Sequence, residues 1–108
     1  MELADGSIYM SSRNHDPSSL GYRPWCISKD GGETFSQFGV DRTLVDNRCH
    51  ASLVRYSFPD GDEASRILFL NPAIHEGTNQ AIVPGTRRRM TVRVSYDEGK
   101  TWPLSRCL

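Results

Sequence analysis

The sequence has no excess of either charge: among 108 residues, 13 basic and 13 acidic side chains give a formal net charge of 0. That removes the electrostatic footprint expected of a nucleic-acid or anionic-membrane binder. No apolar run approaches the roughly 18 residues of a membrane-spanning helix. The start, MELADGSIYM, lacks the basic and apolar regions of a secretory signal. Cysteine is scarce and odd in number, at three. Cys26 falls in a strand-like stretch, Cys49 precedes His50 and Cys107 is next to last. These positions lack metal-ligand spacing, so the three read as structural thiols and no metal is expected. Helical periodicity is missing throughout. A hydrophobic content of 37% and a mean hydropathy of −0.52 fit a globular β protein with short strands.

What is present is a repeat. SKDGGETF runs from Ser28 to Phe35, and SYDEGKTW from Ser95 to Trp102, 67 residues later. Both follow the pattern Ser-x-Asp-x-Gly-x-Thr-aromatic, which marks a repeat architecture. Each copy follows an alternating stretch, Trp25-Cys26-Ile27 or Met90 to Val94, of the kind that forms a strand with one buried face. Asp followed by Gly-Gly or Glu-Gly supplies turn chemistry, because the carboxylate accepts backbone N–H bonds and Gly tolerates positive φ. Thr and the aromatic then open a return strand. Each copy is therefore a hairpin turn of the type called the Asp box. Asp30 and Asp97 are expected to point into their own turns and not to act in catalysis.

The rest of the chain divides into strands and loops. Strands are expected at Ser7–Ser12, Arg23–Lys29, Phe35–Val40, Ala51–Phe58, Ile67–Leu70 and Arg89–Val94. Asn14–Gly21, Asp41–Asn47 and Asn71–Arg88 are expected as loops or linkers, with a turn at Pro59–Asp62. Hairpins repeated in separate sheets suggest a β-propeller of four-stranded blades. In that frame the strands are the second to fourth of one blade and the first to third of the next. A blade takes about 40–50 residues, so the chain holds about two, whereas a closed ring takes at least about four. The expectation is an all-β, antiparallel partial propeller. Residues 1–108 would then be part of one domain truncated at both ends.

The stretches ELADGSIYMSSRN, GYRPWCISKDGGETF and RRRMTVRVSYDEGKTWP resemble the sialidases (neuraminidases) of the bacterial and animal type. The resemblance spans nearly the whole chain and falls on the C-terminal half of that family's six-bladed catalytic propeller. It implies an exo-α-sialidase releasing terminal sialic acids from glycoproteins, oligosaccharides and gangliosides. Stereochemistry would be retained, a Tyr would be the nucleophile, and no cofactor would be needed. Such Tyr-nucleophile enzymes depart from the usual two-carboxylate scheme. The substrate carries its own carboxylate at the anomeric carbon, so a neutral Tyr activated by Glu avoids a repulsion that an anionic nucleophile would meet.

The resemblance places three site residues. Glu2 falls where the family has the Glu that activates Tyr. Arg23, five residues before Ser28, and Arg87, eight before Ser95, fall where it has two arginines that clamp the substrate carboxylate. A planar guanidinium suits that work because it binds a carboxylate through two N–H groups. Read alone, each has a plainer account: an exposed terminal Glu, a strand-edge Arg, and one member of the basic run Arg87-Arg88-Arg89 with Arg88 as the alternative. Arg93, between Val92 and Val94, reads as structural. Asn14, His15 and the Asn47–Ser52 loop could line a pocket, and His50 stays outside the site. The acid Asp and a first Arg would precede Met1, and the nucleophile would follow Leu108. None of Tyr9, Tyr22, Tyr56 or Tyr96 can replace it, so the chain alone is expected to be inactive. A lectin-like sialic-acid binder and a structural repeat protein are the alternatives, and a trans-sialidase is a variant. The sequence leaves localisation open.

Overall fold

The computed structural model describes residues 1–14, 21–61, 63–74 and 87–108. It is all-β, with seven strands among those residues: β1 (Ile8–Ser11), β2 (Tyr22–Ser28), β3 (Gln37–Val45), β4 (Ser52–Ser57), β5 (Arg66–Pro72), β6 (Met90–Ser95) and β7 (Leu104–Cys107). They form two antiparallel meanders, β1-β2-β3 and β4-β5-β6-β7, in plain sequence order. That arrangement is consistent with parts of two propeller blades. Before β1, the chain makes a tight hairpin. Glu2 bridges Ile8, the Leu3 carbonyl accepts from Gly6 N–H, and Leu3 N–H donates to the Ser7 carbonyl.

The strands form where alternation and β-branching support them. In β5, Ile67 and Phe69 are fully buried and their neighbours Leu68 and Leu70 are only partly so, as period-2 geometry requires. Three sequence expectations need correction. The Asp41–Asn47 linker is mostly strand, because β3 continues to Val45 and pairs with β2 past a bulge at Tyr22/Arg23. Leu44 and Val45 are buried there, and that burial carries the strand beyond Val40. Asn71 and Pro72 belong to β5, not to a loop, and pair with Thr91 and Met90. Pro72 is tolerated at the strand end, where its missing N–H costs least. Finally, the second sheet has four strands: the LSRC tail forms β7 against β6. Parts of the two expected loops, at 15–20 and 75–86, and position 62 of the expected turn lie outside the described residues.

The sheets share one core. Leu3, Tyr9 and Leu44 from the first pack with Ile67, Phe69 and Trp102 from the second. Phe69 and Trp102 meet at 5.8 Å in a tilted arrangement. Fully burying such side chains contributes about 1.5–3 kcal/mol each. A polar tie crosses the same interface: the Trp102 indole N–H donates to Asp41 Oδ2 at 2.7 Å. Asp41 is fixed in turn by the backbone N–H groups of Thr43 and Leu44.

Gly39 has a steric reason to be glycine. It faces Trp25 across the β2–β3 pair, and a Cβ there would fall 2.6 Å from the indole Cζ2. The bare backbone lets the ring lie across the sheet, where it stacks toward Tyr9 at 6.2 Å. Gly39→Ala is expected to destabilise the chain by about 1–3 kcal/mol, the usual cost of overpacking. Urea unfolding checks this: the midpoint should fall with the slope unchanged.

Candidate functional site

The two repeat turns share one set of side-chain hydrogen bonds. In the first, Ser28 Oγ donates to Asp30 Oδ1 (2.7 Å) and accepts from the N–H groups of Asp30 and Gly32. Thr34 donates to Asp30 through its N–H (2.9 Å) and its hydroxyl (2.5 Å). In the second, the same five bonds join Ser95, Asp97, Gly99 and Thr101. Both carboxylates therefore point into their own turns, as expected. The bonds from Thr34 and Ser28 hold Asp30 down to about 2. Asp97 is also lowered: burial works the other way, and the bonds from Thr101 and Ser95 outweigh it. The aromatics differ, since Trp102 enters the core and Phe35 is only partly buried.

The turns differ at their fourth position. Gly31 has φ 74° there, and Glu98 has φ 63°. A non-glycine residue in that region carries strain, and its side chain shows what holds it. Arg55 grips the Glu98 carboxylate with two N–H groups, through Nη1 to Oε1 at 3.0 Å and Nη2 to Oε2 at 2.5 Å. Ala4 N–H and the Ser65 hydroxyl also donate to it. The guanidinium beside it is the leading reason that Glu98 falls to about 2.

Arg23 lies at the start of β2 and is only 3% exposed. Its Nη1 reaches Asp46 Oδ1 at 3.3 Å and the Cys49 carbonyl at 3.2 Å. Its guanidinium lies 5.6 Å over the Phe69 ring. Arg87 is exposed and donates to the Arg48 carbonyl at 3.3 Å. The 46–49 segment thus gathers both predicted arginines. The Cys49 thiol registers them: burial pushes it up, with Asp46, while Arg87, Arg23 and Arg13 pull it back. Glu2 is placed by its backbone. It is exposed, and its carbonyl accepts from Arg55 Nε and Nη2, both at 3.1 Å. Asn14 N–H donates to Asp46, whereas His15 lies outside the described residues. Arg93 is buried in β6, opposite Phe69 and Ser105.

Sequence reasoning passed over Asp46, which is 1% exposed and organises this segment. It accepts from Arg23, from Asn14 N–H at 2.6 Å and from Arg48 N–H at 2.8 Å. The last bond closes an Asx-type turn that holds Arg48 at φ 55°. The available signal was an Asp followed by Asn in the presumed linker, a pair favoured in such turns. Among the described residues, no group of three or more His, Cys, Asp or Glu side chains is placed to hold a metal ion. No helix there is long and apolar enough to cross a membrane.

This geometry defines an all-β chain of two meander sheets carrying a paired turn motif. Comparison with known proteins goes one step further. The chain is 36% identical, over 110 aligned positions, to a protein named Sialidase from Micromonospora viridifaciens. The match covers 98% of this chain and 15% of that relative. The chain is thus a partial relative of a sialidase. No family model matches it.

Two predictions follow the chemistry of these carboxylates. Asp46→Ala leaves the Arg23 guanidinium buried without its counter-charge, which is expected to cost about 3–5 kcal/mol. Arg66→Ala, which breaks the exposed pair with Glu63, should cost less than about 1 kcal/mol. Urea unfolding of the two variants compares them directly. Asp30 and Glu98 have folded values near 2 against ordinary values of 3.8 and 4.5. Their stabilisation is therefore present above about pH 4.5 and is lost as the pH falls toward 2. Thermal melts across that window should show an acid limb that is shallower in Glu98→Gln.

Proposed function

We propose that the chain is part of the catalytic propeller of an exo-α-sialidase, with residues 1–108 belonging to one domain. The observation that carries this reading is the 36% identity to a sialidase across 98% of the chain. The convergence of Arg23 and Arg87 on the 46–49 segment supports it. In this reading the arginines bind the carboxylate of a terminal sialic acid on a glycan. Arg87 is exposed and holds the Arg48 carbonyl through one nitrogen, which leaves its other N–H groups to meet an incoming anion, and Arg23 is buried and bound to Asp46. Opening the Asp46 contact would release a second guanidinium fork for the same carboxylate. Glu2 raises the basicity of a tyrosine nucleophile supplied by sequence outside this segment. Tyr9 cannot serve, because it is 4% exposed and burial pushes its hydroxyl well above the ordinary range. The chain spans 15% of the relative it matches, so activity belongs to the larger protein in this proposal.

The rival reading is a repeat protein without a sugar site. One observation favours it: the Arg23 charge is already neutralised internally by Asp46. The two are separated by assaying fluorophore release from a sialic-acid glycoside, using the larger protein that carries this segment. Arg87→Ala is the cleaner variant, since Arg87 is exposed and Arg23→Ala also breaks a buried ion pair. A charge-assisted contact contributes about 1.5–3 kcal/mol, so kcat/KM should fall about 10- to 150-fold. No cleavage, but sialoside binding that Arg87→Ala abolishes, would favour a lectin. Neither cleavage nor binding would leave the structural repeat.

A further inference from the structure

A groove of about 770 Å³ opens between the two sheets, and neither Glu2, Arg23 nor Arg87 lines it. Its floor includes Leu3, Tyr9, Trp25 and Ile27. One wall comes from β3, with Gln37, Val40, Arg42 and Thr43. The other comes from the turns: Lys29 from the first repeat and Glu98, Gly99 and Lys100 from the second.

Each of the groove's three carboxylates accepts hydrogen bonds within the protein, and Glu98 is also ion-paired with Arg55. Asp5 accepts from the Ser7 N–H and hydroxyl. Asp41 accepts from Trp102, Thr43 and Leu44. Glu98 is held by Arg55, Ser65 and Ala4. By contrast, Lys29, Arg42 and Lys100 are exposed and form no ion pair among the described residues. Lys29 acts on Asp5 only through space. At the floor, the Tyr9 hydroxyl is buried and has no hydrogen-bond partner. A buried hydroxyl of this kind normally finds one. The groove thus sets an aromatic floor beside three exposed cations without ion pairs among the described residues, which suits a ligand carrying negative charge.

We propose that this groove is a second, non-catalytic carbohydrate site that holds one ring of an acidic saccharide. The apolar face of the sugar ring lies against Trp25 and Tyr9. Its hydroxyls meet Gln37 and Thr43, and its carboxylate or sulfate meets Arg42, Lys100 and Lys29. A nucleotide fits less well. Trp25 already lies across Gly39 and stacks toward Tyr9, so no open slot between two rings remains for a base. The proposal is independent of the sialidase reading, because its residues are different.

The test is a titration of the isotopically labelled 108-residue chain followed by NMR. The probes are methyl glucuronide, the methyl α-glycoside of N-acetylneuraminic acid, neutral methyl galactoside and AMP. The two acidic sugars are expected to shift the Trp25 indole and the Gly99 and Lys100 amides in a saturable way, with methyl galactoside much weaker. The double variant Arg42→Ala/Lys100→Ala changes only exposed side chains. It should weaken acidic-sugar binding about fivefold or more while keeping the parent spectrum elsewhere. Arg87→Ala should leave it unchanged, which separates this groove from the arginine segment. The proposal is overturned if no probe shifts these signals, if methyl galactoside binds as well as the acids, or if AMP binds best. Shifts confined to residues 46–49, or unaltered by the double variant, would overturn it too.

Discussion

The Arg55–Glu98 pair is the contact on which the placement of the other parts depends. It lies at the meeting point of the N-terminal hairpin, the edge strand β4 and the second repeat turn. Arg55 donates to the Glu2 carbonyl as well as to Glu98, and Glu98 accepts from Ala4 as well as from Arg55. One guanidinium and one carboxylate therefore fix three segments far apart in sequence. A charge pair taken out of water is stable only if its remaining donors and acceptors are also satisfied. Here Ser57, Ser65, Ala4 and Glu2 meet that demand. The same pair holds Glu98 in a left-handed conformation that the first repeat assigns to Gly31. It also sets the position of Glu2, whose backbone it anchors, and it shapes one wall of the groove.

A second buried pair does comparable work at the arginine segment. Asp46 and Arg23 join the start of β2 to the loop after β3, and Asn14 ties in the exit of β1. Their positions explain why Arg23 and Arg87 come together although 64 residues separate them in the chain. The two pairs play opposite roles in the functional proposal. Arg55 has satisfied its carboxylate and offers nothing further. The arginine segment keeps one exposed guanidinium, and Arg23 has a buried Nε with no partner. An anion entering there would meet the exposed Arg87 guanidinium, while the Asp46 carboxylate of the same segment is already held by Arg23, Asn14 and Arg48.

Much of the local structure could be read from residue order. The Ser-x-Asp-x-Gly-x-Thr pattern encodes its own hydrogen bonds, because donors and acceptors lie within four residues of one another. Strand alternation located β1, β2, β4, β5 and β6 to within a few residues, since the pleat has a period of two. Expectations went astray where burial overrode local polarity. Asp41, Arg42 and Thr43 read as a linker, yet Leu44 and Val45 hold that segment in β3 by entering the core. No strand was expected at Leu104–Cys107, whose four side chains are all exposed. The strand exists through backbone pairing with β6, which leaves no hydrophobic pattern.

By itself, then, the sequence determined the β class, the two matching turns and the three residues that the family resemblance singles out. Only the tertiary structure decided that Arg23 and Arg87 both donate to residues 46–49, and that the Glu2 backbone is anchored by Arg55. It also decided that Asp46 is a buried counter-ion and that a groove lies between the turns. The physical reason is separation along the chain. The contacts that settle these points join residues 23 to 94 positions apart. No short-range pattern of polarity or turn chemistry specifies which distant partner a charged side chain will find once two sheets pack together.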